Sequence, residues 1–127
     1  MSSPQPIAKT SLGAQISSLT VTCTGLQSSM GPGSSFTMTY TITAKSTIQL
    51  ALGAALYDQS GNDQADGTGD EDQVTFPTGT SSNSRQALFP PSLATGYYEV
   101  DGELWPPNTI GDGNPITYGS CGEIYVQ

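Results

Sequence analysis

Phe36-Thr37-Met38-Thr39-Tyr40-Thr41-Ile42-Thr43-Ala44 alternates apolar residues with threonine at every second position. Successive side chains of an extended chain point to opposite faces, so Phe36, Met38, Tyr40, Ile42 and Ala44 share one side and four threonine hydroxyls the other. The β-branched threonines suit a pleated, half-buried surface. The stretch predicts a strand of an antiparallel sheet, with one face on a core and the other on solvent.

Its neighbours extend the pattern. Upstream, Ile16 to Thr22 reads as a strand with Leu19, Val21 and Cys23 on one face, and Gly31-Pro32-Gly33 marks a turn. Downstream, Ile48 to Asp58 places Ile48, Leu50, Leu52, Ala54 and Leu56 on one face, with Gly53 inviting a bulge or a close approach. A turn at 58–63 and a polar, acidic loop over Gln64 to Asp72 follow. Further strands are expected at Gln73 to Phe76, Ser84 to Phe89, Tyr97 to Trp105 and Ser120 to Val126, punctuated by Pro77-Thr78-Gly79, Pro90-Pro91 and Pro106-Pro107. About seven short strands with regular turn signals and no helical periodicity define an all-β, antiparallel sandwich. Residues 1–13, opening on Ser, Pro and Gln, read as an N-terminal arm, and 14–127 as one domain.

Composition narrows the function. The chain has 127 residues, a net charge of −8 and no histidine. Lys9, Lys45 and Arg85 are its only basic residues and do not cluster, which argues against nucleic acid and anionic membrane surfaces as partners. Serine and threonine together number 32, so the surface is rich in hydroxyls and poor in charge. The longest apolar run, Leu50 to Tyr57, is far too short to cross a membrane as a helix. Met1-Ser2-Ser3-Pro4-Gln5-Pro6 shows no export leader, so the chain is expected either to be made without one or to have lost it. Cys23 and Cys121 each fall in or beside a strand; the reading favours a disulfide between them over two buried thiols.

Leu93-Ala94-Thr95-Gly96-Tyr97-Tyr98-Glu99-Val100 resembles the entry to the penultimate long strand of immunoglobulin-like and fibronectin-type-III modules, with Leu93, Gly96, Tyr98 and Val100 at the matching positions. The resemblance implies an Ig-like β-sandwich across residues 14–126 and a tyrosine corner, with the Tyr98 hydroxyl bonded back to backbone near the turn. Leu52-Gly53-Ala54-Ala55-Leu56 through Leu104-Trp105 also looks like Ig-like accessory modules of large bacterial or viral surface proteins. The chain departs from antibody domains in placing Cys121 in the last strand.

Two places could carry chemistry. Asp58, Asp63, Asp66, Asp70, Glu71 and Asp72 set six carboxylates within fifteen residues, a donor set suited to Ca²⁺, although Gln73 stands where an EF-hand needs its bidentate glutamate. The plainer reading is a solvated loop. In the strand from Tyr97 to Trp105, the core face is Tyr98, Val100, Gly102 and Leu104; the opposite face carries Tyr97, Glu99, Asp101, Glu103 and Trp105. Three carboxylates bracketed by two aromatics suit a glycan- or protein-binding surface, the plainer alternative being an exposed sheet face with Trp105 tucked under a loop. No histidine stands ready to activate a serine, and no Gly-x-Ser-x-Gly or phosphate-binding loop occurs, so an enzyme is not expected.

These features point to a non-enzymatic structural or interaction subunit of an extracellular assembly, such as a phage virion decoration or tail protein or a surface filament. Protein partners or self-assembly are expected, with residues 1–13 pairing along a neighbour's sheet edge. The alternatives are a secreted accessory module for glycan or protein and a calcium-stabilised spacer; no other cofactor is expected.

Overall fold

A computed structural model describes residues 9–25, 29–30, 35–61, 63–66, 71–88, 93–110 and 114–126. Helix α1 (Lys9–Gln15) is followed by strands β1 (Ile16–Thr24), β2 (Ser29–Met30), β3 (Ser35–Ala44), β4 (Ile48–Asp58), β5 (Asp63–Asp66), β6 (Glu71–Phe76), β7 (Gly79–Leu88), β8 (Gly96–Trp105) and β9 (Thr117–Val126). They form two sheets, one of three strands in the order β1-β3-β7 and one of six in the order β2-β9-β8-β4-β5, with β6 also paired to β4. All pairings are antiparallel except β2 with β9. This is the expected sandwich, built on seven long strands. Among the described residues no helix is long and apolar enough to cross a membrane.

Strand β3 does what its alternation requires. Phe36, Met38, Tyr40, Ile42 and Ala44 are buried and the threonines between them half-exposed. On the outer face, Thr39, Thr41 and Thr43 bond across to Ser84, Ser82 and Thr80 at 2.8, 2.7 and 2.8 Å, a hydroxyl ladder that joins β3 to β7. The inward face meets Leu50, Leu52, Leu56, Val100, Leu104, Ile124 and Val126 of the six-stranded sheet.

Two polar side chains cross this interior to the middle of β4. The Tyr40 hydroxyl donates to the Gly53 carbonyl, and Arg85 Nη1, buried on β7, donates to the Leu52 carbonyl at 3.1 Å. Here β4 changes its neighbour from β6, last paired at Leu52, to β5, first paired at Ala55. Side-chain donors from the opposite sheet thus satisfy buried backbone acceptors at the break.

The Tyr98 hydroxyl donates to the Ala94 carbonyl at 2.7 Å, which is the tyrosine corner the resemblance implied. Cys23 of β1 and Cys121 of β9 are joined by a disulfide across a separation of 98 residues, tying one sheet to the other. A register shift in β9 makes this reachable. Val100 pairs with Gly122 and Asp101 with Ser120, leaving Cys121 as the extra residue.

Three expectations need correction. The boundary at residue 13 falls inside α1, whose Leu12 is buried in the core, so residues 9–13 are helix and not arm; residues 1–8 lie outside the described part. Strand β5 and the start of β6 lie within the expected loop Gln64 to Asp72, because edge pairing is made by backbone and tolerates a polar sequence. Strand β7 begins at Gly79, five residues before the expected start, since its serines and threonines belong to the hydroxyl ladder.

Candidate functional site

The outer face of the six-stranded sheet is where side chains of three strands converge. Strand β8 lies between β4 and β9, and its outward residues are Tyr97, Glu99, Asp101, Glu103 and Trp105, as alternation predicts. Their partners on β4 are small toward one end, where Ala51 faces Trp105, Gly53 faces Glu103 and Ala55 faces Asp101. At the other end Tyr57 faces Glu99, and on β9 Tyr125 faces Tyr97, Glu123 faces Glu99 and Tyr118 faces Glu103.

The small residues of β4 let the large ones of β8 lie down on the sheet. A Cβ at Gly53 would stand 2.9 Å from Trp105 Nε1, so only glycine admits the indole there. Trp105 is consequently buried, and Nε1 donates to Glu103 Oε1 at 3.2 Å. The Tyr57 hydroxyl donates to the other oxygen, Oε2, at 3.3 Å. Glu103, 5% exposed, thus has each carboxyl oxygen engaged by a neutral donor.

Asp101 is the most unusual group on this face. It is 1% exposed, and its Oδ1 has no hydrogen-bond partner among the described residues. Burial, then a hydrogen bond with Glu99, then the negative charges of Glu99 and Glu103 push its carboxyl up to about 7. Such a group sits at little cost as the neutral acid and at high cost as the anion. Glu99 and Glu123, both exposed, face each other across the ladder, a like-charge pair that disfavours the empty face.

Above these side chains lies a groove of about 920 Å³, lined by Tyr57, Asp58, Tyr97, Glu99, Asp101, Glu103, Asn114, Ile116, Tyr118 and Glu123 among others. Tyr97 and Tyr118, 48% and 64% exposed, are the exposed large hydrophobic side chains of the described residues. The Tyr97 ring packs against Tyr125 with centroids 4.8 Å apart and planes tilted by 58°. Among the described residues five carboxylates line the groove, and no lysine or arginine does.

The structure brings Tyr97, Glu99, Asp101 and Glu103 together in the groove and leaves Trp105 out of its lining, buried and bonded to Glu103. Of the expected interaction surface only Tyr97 and Glu99 are exposed, while Asp101, Glu103 and Trp105 are buried; the plainer alternative already had Trp105 tucked away. Reading one strand missed Tyr57, Tyr118, Glu123 and Tyr125. For Tyr118 and Tyr125 the available signal was tyrosine at the outward positions of the last strand, which gains meaning only once β9 is laid beside β8. Of the acidic loop, Asp58 caps its own turn, its Oδ1 accepting from the Ser60 amide at 2.9 Å. The side chains of Asp63, Asp66, Asp70, Glu71 and Asp72 lie outside the described residues. Among the described residues no three acidic or cysteine side chains are placed to hold a metal ion.

Comparison with known proteins shows the fold alone. No protein-family model matches the sequence, and no curated protein matches it. Among solved structures, the C-terminal domain of Wzt is similar at 11% identity and a TM-score of 0.58 over 88% of this chain and 72% of that one. A β-glucosidase from Erythrobacter marinus is similar at 12% identity and a TM-score of 0.52, over 87% of this chain but 15% of its own. The CARDB domain of a Pyrococcus furiosus protein, solved in complex with di-metal ions, reaches a TM-score of 0.48 at 10% identity over 88% of this chain and 94% of that one. The likeness to the Wzt domain is one of fold and carries no activity with it.

Proposed function

We propose that this protein is a non-enzymatic interaction subunit of an extracellular assembly, on a virion or cell surface, that engages its partner through the outer face of its six-stranded sheet. The observation that carries the reading is the groove itself. It combines a preorganised, buried polar floor with two exposed tyrosines at its margin, the anatomy of an anchor pocket more than of an idle sheet face. The inter-sheet disulfide supports a setting outside a reducing compartment. The uncharged hydroxyl ladder of the other sheet offers no comparable anchor.

A second reading, recognition of a neutral glycan, draws on the same tyrosines, whose faces and hydroxyls suit sugar rings. Amide chemical-shift mapping on uniformly labelled protein tests the face directly. The arms are a concentration series for self-association, maltotetraose, and a basic tetrapeptide. Shifts clustered on β4, β8 and β9 around the groove in any arm are the expected result. Shifts confined to the hydroxyl ladder, or none at the groove in every arm, would overturn the reading.

A further inference from the structure

The groove is strongly one-signed. Among the described residues, Asp58, Glu99, Asp101, Glu103 and Glu123 line it and no basic residue does. Glu103 has both oxygens engaged by Trp105 and Tyr57, whereas Asp101, which also lines the groove, has a buried Oδ1 with no partner among the described residues. A buried acceptor without a donor carries a desolvation cost that a ligand bringing a donor would relieve. The neighbouring carboxylates select a donor that is also a cation, and tyrosine faces at the margin add favourable contact with a guanidinium or ammonium group.

We propose that the groove docks an arginine- or lysine-bearing segment of a basic protein partner, with the cationic head on Asp101 Oδ1 between Glu99 and Glu103. This rests on the interaction face proposed above and names the chemistry of its occupant. An anionic ligand is repelled by every charged group in the lining. A second copy of the chain is a poor occupant, because it carries three basic residues in all and one of them, Arg85, is buried. The occupant is therefore a different chain, complementary in charge to one that carries −8. Arginine suits the place best, since its planar fork can reach Asp101 and a flanking glutamate together.

The groups facing Asp101 are Glu99 and Glu103 on its own strand, Tyr57 and Asp58 on β4, and Tyr118, Ser120 and Glu123 on β9. None supplies a positive charge, so a cationic ligand would release the proton that Asp101 holds. Binding should accordingly tighten as pH rises through neutrality.

Trp105, the only tryptophan, is hydrogen-bonded to the groove residue Glu103 and serves as the reporter. Its fluorescence is followed while acetylated, amidated tetra-arginine is titrated at low and at physiological salt. Tetra-citrulline, of similar shape without charge, and maltotetraose are the controls. The expected result is saturable binding of tetra-arginine only, weaker in salt and stronger at pH 8.5 than at pH 5.5. Asp101→Asn should lose about tenfold or more in affinity, the worth of one charge-assisted hydrogen bond, and most of the pH dependence. Glu123→Gln, at an exposed position that folding tolerates, should weaken binding several-fold and reduce its salt dependence. Equal binding of tetra-citrulline, no binding of tetra-arginine, or unaltered affinity in both variants would overturn the proposal. Binding of maltotetraose in place of tetra-arginine would overturn it while leaving the interaction face intact.

Discussion

Asp101 makes the stability of this protein depend on pH in a direction opposite to that of an ordinary carboxylate. Its carboxyl titrates at about 7 in the folded protein against an ordinary 3.8. A group raised in this way contributes stability that is fully present below pH 3.8 and is lost as pH climbs to about 7, because the unfolded chain ionises freely while the folded one must bury the charge. At about 1.36 kcal/mol for each tenfold change in proton activity, that interval amounts to about 4 kcal/mol. Other carboxylates have trends of their own, so the perturbation that isolates the effect is Asp101→Asn, whose amide keeps the shape and never ionises. Urea unfolding followed by Trp105 fluorescence, with the disulfide intact, would give the stability of both proteins from pH 3.5 to 8.5. The variant should match the wild type to within about 1 kcal/mol at the acid end and exceed it by up to about 4 kcal/mol above neutrality. A difference that stays constant across this range would refute the reasoning, since it would mean that Asp101 ionises alike in both states.

Two further outcomes test the framework around the groove. Replacing Cys23 and Cys121 together by alanine removes a link across 98 residues and should cost about 4–5 kcal/mol in the same unfolding assay, whereas a loss under about 1 kcal/mol would mean that the sheets hold together without it. Gly53→Ala puts a methyl 2.9 Å from Trp105 Nε1 and 3.1 Å from its Cδ1. It should cost about 1–3 kcal/mol and shift the tryptophan emission to the red as the indole leaves Glu103; an unmoved emission maximum would contradict the packing described.

Much of the fold was legible because it depends on period-two patterning. The buried set of β3, the inward face of β4 and the core face of β8 (Tyr98, Val100, Gly102 and Leu104) all follow from alternation alone. Gly53 reads as a bulge or a place of close approach, and the structure shows the latter, though what approaches, the Trp105 indole, is not a neighbour in sequence. Where apolar alternation was missing, the reading failed. Strand β5 and the first half of β7 are polar and form through backbone pairing and hydroxyl bonds. Helix α1 contains Gly13 and has little intrinsic helicity; the burial of Leu12 anchors it.

The candidate site divides along the same line. Which residues of β8 point outward is a local property of an extended chain, and the sequence by itself determined that Tyr97, Glu99, Asp101, Glu103 and Trp105 share a face. Whether that face is wet or buried depends on what lies beside it, and alternation along one strand carries no information about its partners. Only the tertiary structure decided that Ala51, Gly53 and Ala55 would leave room on one side and that Tyr118 and Glu123 would close in on the other. The charge of Asp101 is settled there too, because desolvation and the fields of Glu99 and Glu103 depend on how these side chains are packed and not on their order in the chain.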